Sequence, residues 1–587
     1  REFNAWFEAG LADQQYGTNT QASLFPNYQV PEIIKTWPAH GNVSLGQDYY
    51  LAPFYDFNDD GHYDWRDGDY PWYDIKQDKQ CNVDRDVSLY GDKNFWWVMN
   101  DKGNIHTETG ADPIGMEIRA QAFAFASNDE VNNMTFYNYV LINRGTQTLY
   151  NTYFGFFTDG ALGDPYDDYV GCDVMRGLGY YYNGDNFDGD NSGYKGYGYS
   201  PPAVGVDFFE GPYQDDDGID NAYGIGLNEA LNGIGYGDGI IDNERFGMRR
   251  FLYYSNTTNG ANINQTDPIA ASDYYNYLRG YWKDGSKFVY GGSGHISDPE
   301  ADPNTPCDFM FPGTSDFMGW GTGGIIKPNW TEQTANNTPN DRRFVESAGP
   351  FVLKPGAVNN ITVGVVWARS NGGDPFTSVE SLRRADDKAQ ALFENCFKVM
   401  DAPHAPNLEI QELNNELILY LSNPINSNNY QEKYQENDPF IVSSNPNADK
   451  TFRFQGYQIF QLANNQVALS DLSNPLKSRL VAQCDINDNV SRIINFEFDE
   501  ELGFSVPKER VNGENKGIRH SFRVTNDLFA QGQSKLVNFK KYYYMAVSYA
   551  YNNYETYNPN DPLSLNGQKM PYIASRKSAM GEVKVME

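Results

Sequence analysis

Apolar and polar side chains alternate over much of residues 114–126, IGMEIRAQAFAFA, the period-two signature of a strand with one buried face. MTFYNYVLINRG at 134–145 and LYNTYFGFFTDG at 149–160 follow after short turns, SNDEVNN and GTQT. Together they predict a three-stranded antiparallel meander. Regular strand signal returns at 343–370, RFVESAGPFVLKPGAVNNITVGVVWARS, with Pro355-Gly356 as the turn between two strands. Between these blocks lies 161–338, rich in Gly, Asp, Asn and Tyr. It is too long for a plain loop in a compact domain. The expectation is an insertion with short strands of its own, such as MRRFLYYSN at 248–256, organised partly by metal.

One helix is predicted, over 378–400. Val379, Leu382, Ala389, Leu392, Phe393 and Phe397 recur at helical spacing, Thr377 or Ser378 serves as cap, and Glu380 lies in the first turn. The linker DAPHAPN at 401–407 opens a second domain. LEIQELNNELILYLS at 408–422 predicts a hairpin turned at Asn414-Asn415, and five further strands are spread to residue 552 without helices. That pattern predicts a β-sandwich. The fold class is therefore mainly β: multidomain β-sandwiches with a long loop-rich, calcium-ordered insertion and one helix near 378–400. The expected division is a loop-rich aromatic region at 1–100, a sandwich with the insertion and closing helix at 101–400, and a sandwich at 403–587.

Composition sharpens this picture. The chain has 587 residues, beyond one ordinary core, and its 43 Tyr and 36 Phe favour strands, with 55 Gly and 30 Pro as punctuation. Asp and Glu outnumber Lys and Arg by 78 to 45, a net charge of −33. Such a field repels nucleic acid and anionic membrane, and both are set aside as partners. No segment approaches the ~18 consecutive apolar residues of a membrane span. Cys81, Cys172, Cys307, Cys396 and Cys484 form no CxxC pair, and their odd number leaves at least one thiol unpaired. A start at Arg1 without Met is expected of a processed form or a fragment.

Part of the acidity is patterned for metal. DFNDDGHYDWRD at 56–67 places Asp56, Asn58, Asp60, Asp64 and Asp67 at the first, third, fifth, ninth and twelfth positions, with Gly61 at the sixth. This is the spacing of a Ca²⁺ loop, in which His62 offers its backbone carbonyl at the seventh position and Asp replaces the final Glu. Pro53 and Pro71 in the flanks exclude the long helices of an EF-hand, so a free-standing loop is expected. Further Asp/Gly runs supply Asp159, Asp164, Asp167 and Asp168; Asp185, Asp188 and Asp190; Asp215, Asp217 and Asp220; and Asp238, Asp242 and Glu244. The last two sets are incomplete shells that share one ion or hold two. The competing reading for all of them is Asx-turns, which use the same alphabet. Mg²⁺ fits less well than Ca²⁺, because it keeps its waters.

Catalysis finds little support. The six histidines are scattered, and neither HExxH nor GxSxG occurs. GGSG at 291–294 and GTGG at 321–324 lack the strand–loop–helix setting and the Lys of a phosphate loop. Trp96-Trp97, YYYNG at 180–184 and YGYS at 197–200 are candidate platforms for stacking on glycans, with burial in the core as the alternative.

Several phrases carry a resemblance. WPAHGN at 37–42, DDYVGCD at 167–173, PPAVGVDFFEGP at 201–212, DDDGIDN at 215–221, GDGIIDNERFGMRRFLYY at 237–254, FRFQGY at 452–457 and YYYMAVSYAYNN at 542–553 resemble large secreted proteins of Bacteroidota and related phyla. Those proteins usually carry a signal peptide and a C-terminal sorting domain for type IX secretion. The resemblance implies export by that machinery and a place outside the cell or on its outer surface. Tyr544-x-Ala546-x-Ser548-x-Ala550-x-Asn552 also resembles a strand of fibronectin type III domains, in which the Tyr belongs to a tyrosine corner. The expectation is a secreted or cell-surface structural or adhesion protein stabilised by Ca²⁺, with no enzymatic activity, that assembles with itself or with other surface proteins. The alternatives are a polysaccharide-binding or -degrading surface protein, and an accessory or cargo component of an outer-membrane export or gliding machine.

Overall fold

The computed structural model describes the chain except for residues 1, 27, 73–90, 126–129, 257–261, 371, 395–396, 398–399, 439–440, 442–444, 446, 500–503, 559–566, 576–578 and 585–587. The protein is mainly β, and its strands form antiparallel sheets. It divides into two compact units, Arg1–Phe397 and Lys398–Glu587.

The first unit opens with a helix, α1 (Glu2–Tyr16), in the region expected to be loop-rich and aromatic. Phe3, Trp6 and Phe7 fall at i, i+3 and i+4 on α1 and pack as rings against one another and against Tyr28, Phe57 and Tyr70. This aromatic stripe, rather than an aliphatic one, holds the helix.

Beside several strands of two to five residues, the described residues of this unit hold ten longer ones: β1 (Lys93–Asn100), β2 (Met116–Ala124), β3 (Met134–Asn143), β4 (Leu149–Thr158), β5 (Asp168–Asp173), β6 (Leu178–Asn183), β7 (Ala203–Glu210), β8 (Arg250–Ser255), β9 (Arg342–Leu353) and β10 (Val358–Ala368). Seven of them form one sheet in the order β1-β2-β3-β10-β7-β6-β5, and three form a second in the order β8-β9-β4. The predicted meander is thus only half right. β2 and β3 pair, but β4 leaves them for β9. The corner is Asn143, fully buried, whose Nδ2 donates to the carbonyls of Gln147 and Leu353 while its Oδ1 accepts from Gly145 N.

The predicted insertion at 161–338 is corrected more deeply. β5, β6 and β7 lie in it, and they are one flank of the main sheet. Nearly every residue of these strands is buried. Strands covered on both faces lose the in/out alternation, so DYVGCD, LGYYYN and AVGVDFFE carry no period-two signal.

One face of the main sheet packs on the second sheet through Val170, Tyr181, Val206, Phe251 and Phe344. The other packs on α3 (Pro375–Glu394), with Phe209 against Phe393, and on Phe397, which lies beyond the helix end at φ 54 and meets Phe123 and Phe136. This helix begins three residues before the predicted start. Its cap is Asp374, whose carboxylate accepts from Thr377 N and Thr377 Oγ1, with Pro375 at the first position. Another helix, of eight residues, α2 (Ala271–Leu278), precedes it and was also unexpected.

The second unit begins with the predicted hairpin, β11 (Asn407–Leu413) and β12 (Glu416–Ser422), turned at Asn414-Asn415 with Asn415 at φ 56. It continues with β13 (Thr451–Leu462), β14 (Ser478–Asp485), β15 (Arg492–Asp499), β16 (Phe504–Asn512), β17 (Ser521–Val524), β18 (Lys541–Tyr551), β19 (Tyr572–Ala574) and β20 (Ala579–Lys584). β11-β12-β17 form one sheet, and β13 pairs with β14 and β18 in the other, where β18 carries β19 and β20 at its two ends. Leu417, Leu419, Phe522 and Val524 of the first meet Phe452, Ile459, Tyr542 and Tyr544 of the second. Of the two tyrosines near the start of β18, Tyr542 makes a backbone contact and Tyr544, the one singled out by the resemblance, does not. Tyr542 Oη accepts from Val537 N at 2.8 Å, whereas the buried Tyr544 hydroxyl has no partner among the described residues.

Candidate functional site

The loop at 56–67 folds around the positions its spacing selects. Gly61 turns at φ 74. Asp56 Oδ2 accepts from Gly61 N at 2.6 Å, Asp56 Oδ1 and Asn58 Oδ1 accept from Asp60 N, and Asp60 Oδ1 accepts from His62 N. Asp64 instead caps a 3-10 turn through Arg66 N. Asp67 lies in that turn and is exposed. The His62 ring stacks on His40 and meets Tyr49 Oη at its Nδ1. The residue that closes the loop is Asp69, which the spacing rule passes over. It is fully buried and accepts from Phe57 N and Asp64 N, one from each end of the loop. Burial, with the charges of Asp56 and Asp60 nearby, raises its carboxyl above the ordinary range.

The runs at 215–221 and 237–244 come together and brace one another. Asp242 Oδ1 accepts from Asp217 N and Gly218 N, while Asp220 accepts from Gly237 N and Gly239 N. Asp238 holds Ile240 N and Asn243 Nδ2, and Glu244 accepts from Asn221 N. Asp217 takes Asn221 and Asn228 amides, which lower its pKa. Asp215 reaches Val352 N. Asp217 and Asp238 form local Asx-turns with Ile219 N and Ile240 N, while Asp220, Asp242 and Glu244 brace one run against the other through backbone N–H groups.

The third group differs. Asp164, Asp167 and Asp168 from one run and Asp185 and Asp188 from the other converge where the β5–β6 ladder ends. Asp188 is anchored by Asp164 N and Tyr197 N, and Asp164 by Tyr166 N and Asn191 Nδ2. Asp168 Oδ2 accepts from Leu162 N. That leaves Asp167 Oδ1, Asp168 Oδ1 and Asn183 Oδ1 buried, with no hydrogen-bond partner among the described residues. Desolvation first, then its neighbours' charges, push Asp167 up to about 7 and Asp168 well above the carboxylate range. Asp159 is not part of the group, since it pairs with Arg343 at 3.1 Å. Asp190 turns outward onto Gly196 N, and Asp185 Oδ1 onto Phe187 N. No set of three or more His, Cys, Asp or Glu side chains among the described residues is arranged to hold a metal. The free donors here are two carboxylate oxygens and one amide oxygen.

A second buried acidic group was not anticipated. Asp207 on β7 and Asp386 on α3 face each other between sheet and helix, each fully buried; burial first raises both, Glu346 raises Asp207 further and Asp207 raises Asp386, while a hydrogen bond from Asp386 offsets part of the rise at Asp207. Asp173, Glu346 and Asp387 add to their field. Arg176 forks onto Asp387 and reaches Asp173, and Arg383 pairs with Asp173 at 2.9 Å.

The remaining candidates resolve simply. Trp96 and Trp97 are neighbours on β1 and project to opposite faces of the sheet, so they cannot form one platform. Tyr180, Tyr181 and Tyr182 are core residues. His295 lies between Ser297 Oγ at 2.7 Å and Asp284 Oδ2 at 3.0 Å. Ser297 N and Asn262 Nδ2 also reach its Nδ1, so the arrangement is a braced turn rather than an activated serine. Cys172, Cys307 and Cys484 are buried free thiols, while Cys81 and Cys396 lie outside the described residues. No helix among the described residues is long and apolar enough to cross a membrane. Comparison with protein-family models, with curated proteins and with solved structures finds no match for this chain.

Proposed function

We propose that this is a secreted or cell-surface structural or adhesion protein, a building block of an extracellular assembly, in which calcium sets loops that the polypeptide alone would hold poorly. The observation that carries the reading is the group of carboxylates at 164–188, buried with free oxygens and no Lys or Arg paired to them among the described residues. Burying like charges without a counterion is costly, and a hard cation removes the cost. Outside the cell Ca²⁺ is abundant enough to fill sites of modest affinity. The turn geometry of Asp56–Asp60 with Asp69 adds a second loop of the same kind. The β11-β12-β17 sheet facing β13, β14, β18 and β20, with the Tyr542 backbone contact near the start of β18, supports a fibronectin type III-like module. Such modules suit spacing and adhesion rather than chemistry. Export by type IX secretion remains what the sequence resemblance implies.

Negative-stain imaging of native material in calcium tests the assembly: filaments, sheets or a surface layer are expected, and a strictly monomeric protein with no surface association contradicts it. One observation favours the polysaccharide reading instead. A groove of about 630 Å³ in the second unit is lined by Arg453, Gln455, Asp488, Tyr551, Asn552 and Tyr554, a mixture suited to sugar hydroxyls. Glycan-array binding that Tyr551→Ala and Tyr554→Ala abolish would establish it.

A further inference from the structure

We propose that a single Ca²⁺ joins the runs 164–168 and 183–188, with Asp167, Asp168 and Asn183 as its side-chain ligands. The inference rests on the calcium reading above and assigns its ligands. Asp168 and Asn183 are direct partners in the β5–β6 register, so their side chains rise from the same face of the ladder. Asn183 cannot turn its oxygen away, because its Nδ2 is committed to the Asp185 carbonyl. Asp168 is committed through Oδ2 to Leu162 N, which leaves Oδ1 free. Asp167 contributes a third free oxygen from the adjacent residue.

Three oxygens on neighbouring residues are thus buried without a hydrogen-bond partner among the described residues, although the Asn183 amide also serves the Asp167 carboxylate. The amide oxygen is the informative one. Carboxylates alone explain their own approach by keeping protons, but an amide oxygen has no proton to keep. It gains only from a donor or a cation. Asp164 and Asp188, both buried and held by N–H groups, add negative charge nearby without serving as ligands, and water completes the shell. All the donors are oxygens and none is His or Cys, which selects a hard cation. The mixed carboxylate and amide set suits Ca²⁺ better than Mg²⁺, which demands a strict octahedron and keeps its waters.

The test is calorimetric titration of the whole chain with Ca²⁺, alongside Asp167→Asn/Asp168→Asn and Asn183→Leu. Each variant is expected to bind one ion fewer per chain than the wild type. The Asp double variant keeps oxygens in place while removing like charge, so its melting temperature in chelator should equal or exceed that of the wild type, which separates lost binding from misfolding. Unchanged stoichiometry in both variants overturns this assignment and leaves the calcium reading standing on other loops. A wild-type chain that takes up no Ca²⁺ overturns both.

Discussion

The two ends of one strand hold two buried acidic groups that are solved differently. At the start of β5, Asp168 joins Asp164, Asp167 and Asp188, and no Lys or Arg pairs with any of them among the described residues. At its end, about 17 Å away by strand rise, Asp173 joins Asp207, Asp386 and Asp387, and there Arg176 and Arg383 are built in. The same problem of like charges removed from water is met by the chain's own cations at one end and, in our account, by a cation from solvent at the other. Arginine makes a group permanent. A metal makes it conditional on where the protein is.

The sharpest way to break this contrast is to remove the internal cation. Arg383→Met leaves Asp173 buried without one of its partners and should cost roughly 3 kcal/mol, read by chemical denaturation. This loss should be independent of calcium. Chelation is the matching experiment at the other end. It should lower stability by about 2–3 kcal/mol when the free ion had stood at ~100 times its dissociation constant, with recovery on adding Ca²⁺ and not Mg²⁺. If Arg383→Met and chelation act on each other strongly, the two groups are one network and the contrast fails.

The proton provides a third comparison. The Asp207 and Asp386 carboxyls titrate well above their unfolded value of 3.8, first because burial favours the neutral form and then because of nearby carboxylates, Glu346 at Asp207 and Asp207 at Asp386. The folded state therefore holds protons that the unfolded state has released, and stability is lost as pH rises from about 4 through the raised native pKa. Asp207→Asn should flatten that slope in denaturation midpoints measured across pH; an unchanged slope would place the proton elsewhere. The smallest effect is expected at the first loop. Asp69→Ala strands the N–H groups of Phe57 and Asp64 and should cost about 2 kcal/mol. Asp67→Ala, at an exposed position, should stay within about 0.5 kcal/mol.

What the sequence made visible follows from the same physics. β2, β3, β10 and the β11–β12 hairpin alternate or turn at Asn-Asn, and α3 repeats at helical spacing, so each was readable. β5 to β7 were not, because burial on both faces erases alternation. α1 hid behind three aromatic residues that are common in strands. β4 gave a true strand but the wrong partner, since its sheet is decided by the buried Asn143 corner. Asp/Gly spacing correctly marked acidic turns, yet it grouped Asp159 with residues it does not join and passed over Asp69 and Asn183. A spacing rule sees one loop at a time. Asn183 matters because β-pairing sets it opposite Asp168, a relation that no local motif records.

The central claim is that this fold contains bound calcium. Equilibrium dialysis of the native chain against millimolar Ca²⁺ at physiological ionic strength, with the calcium held in excess of the outer buffer read by elemental analysis, tests it most directly. At least one calcium per folded chain is predicted. A folded chain of unchanged stability that contains none would contradict the account.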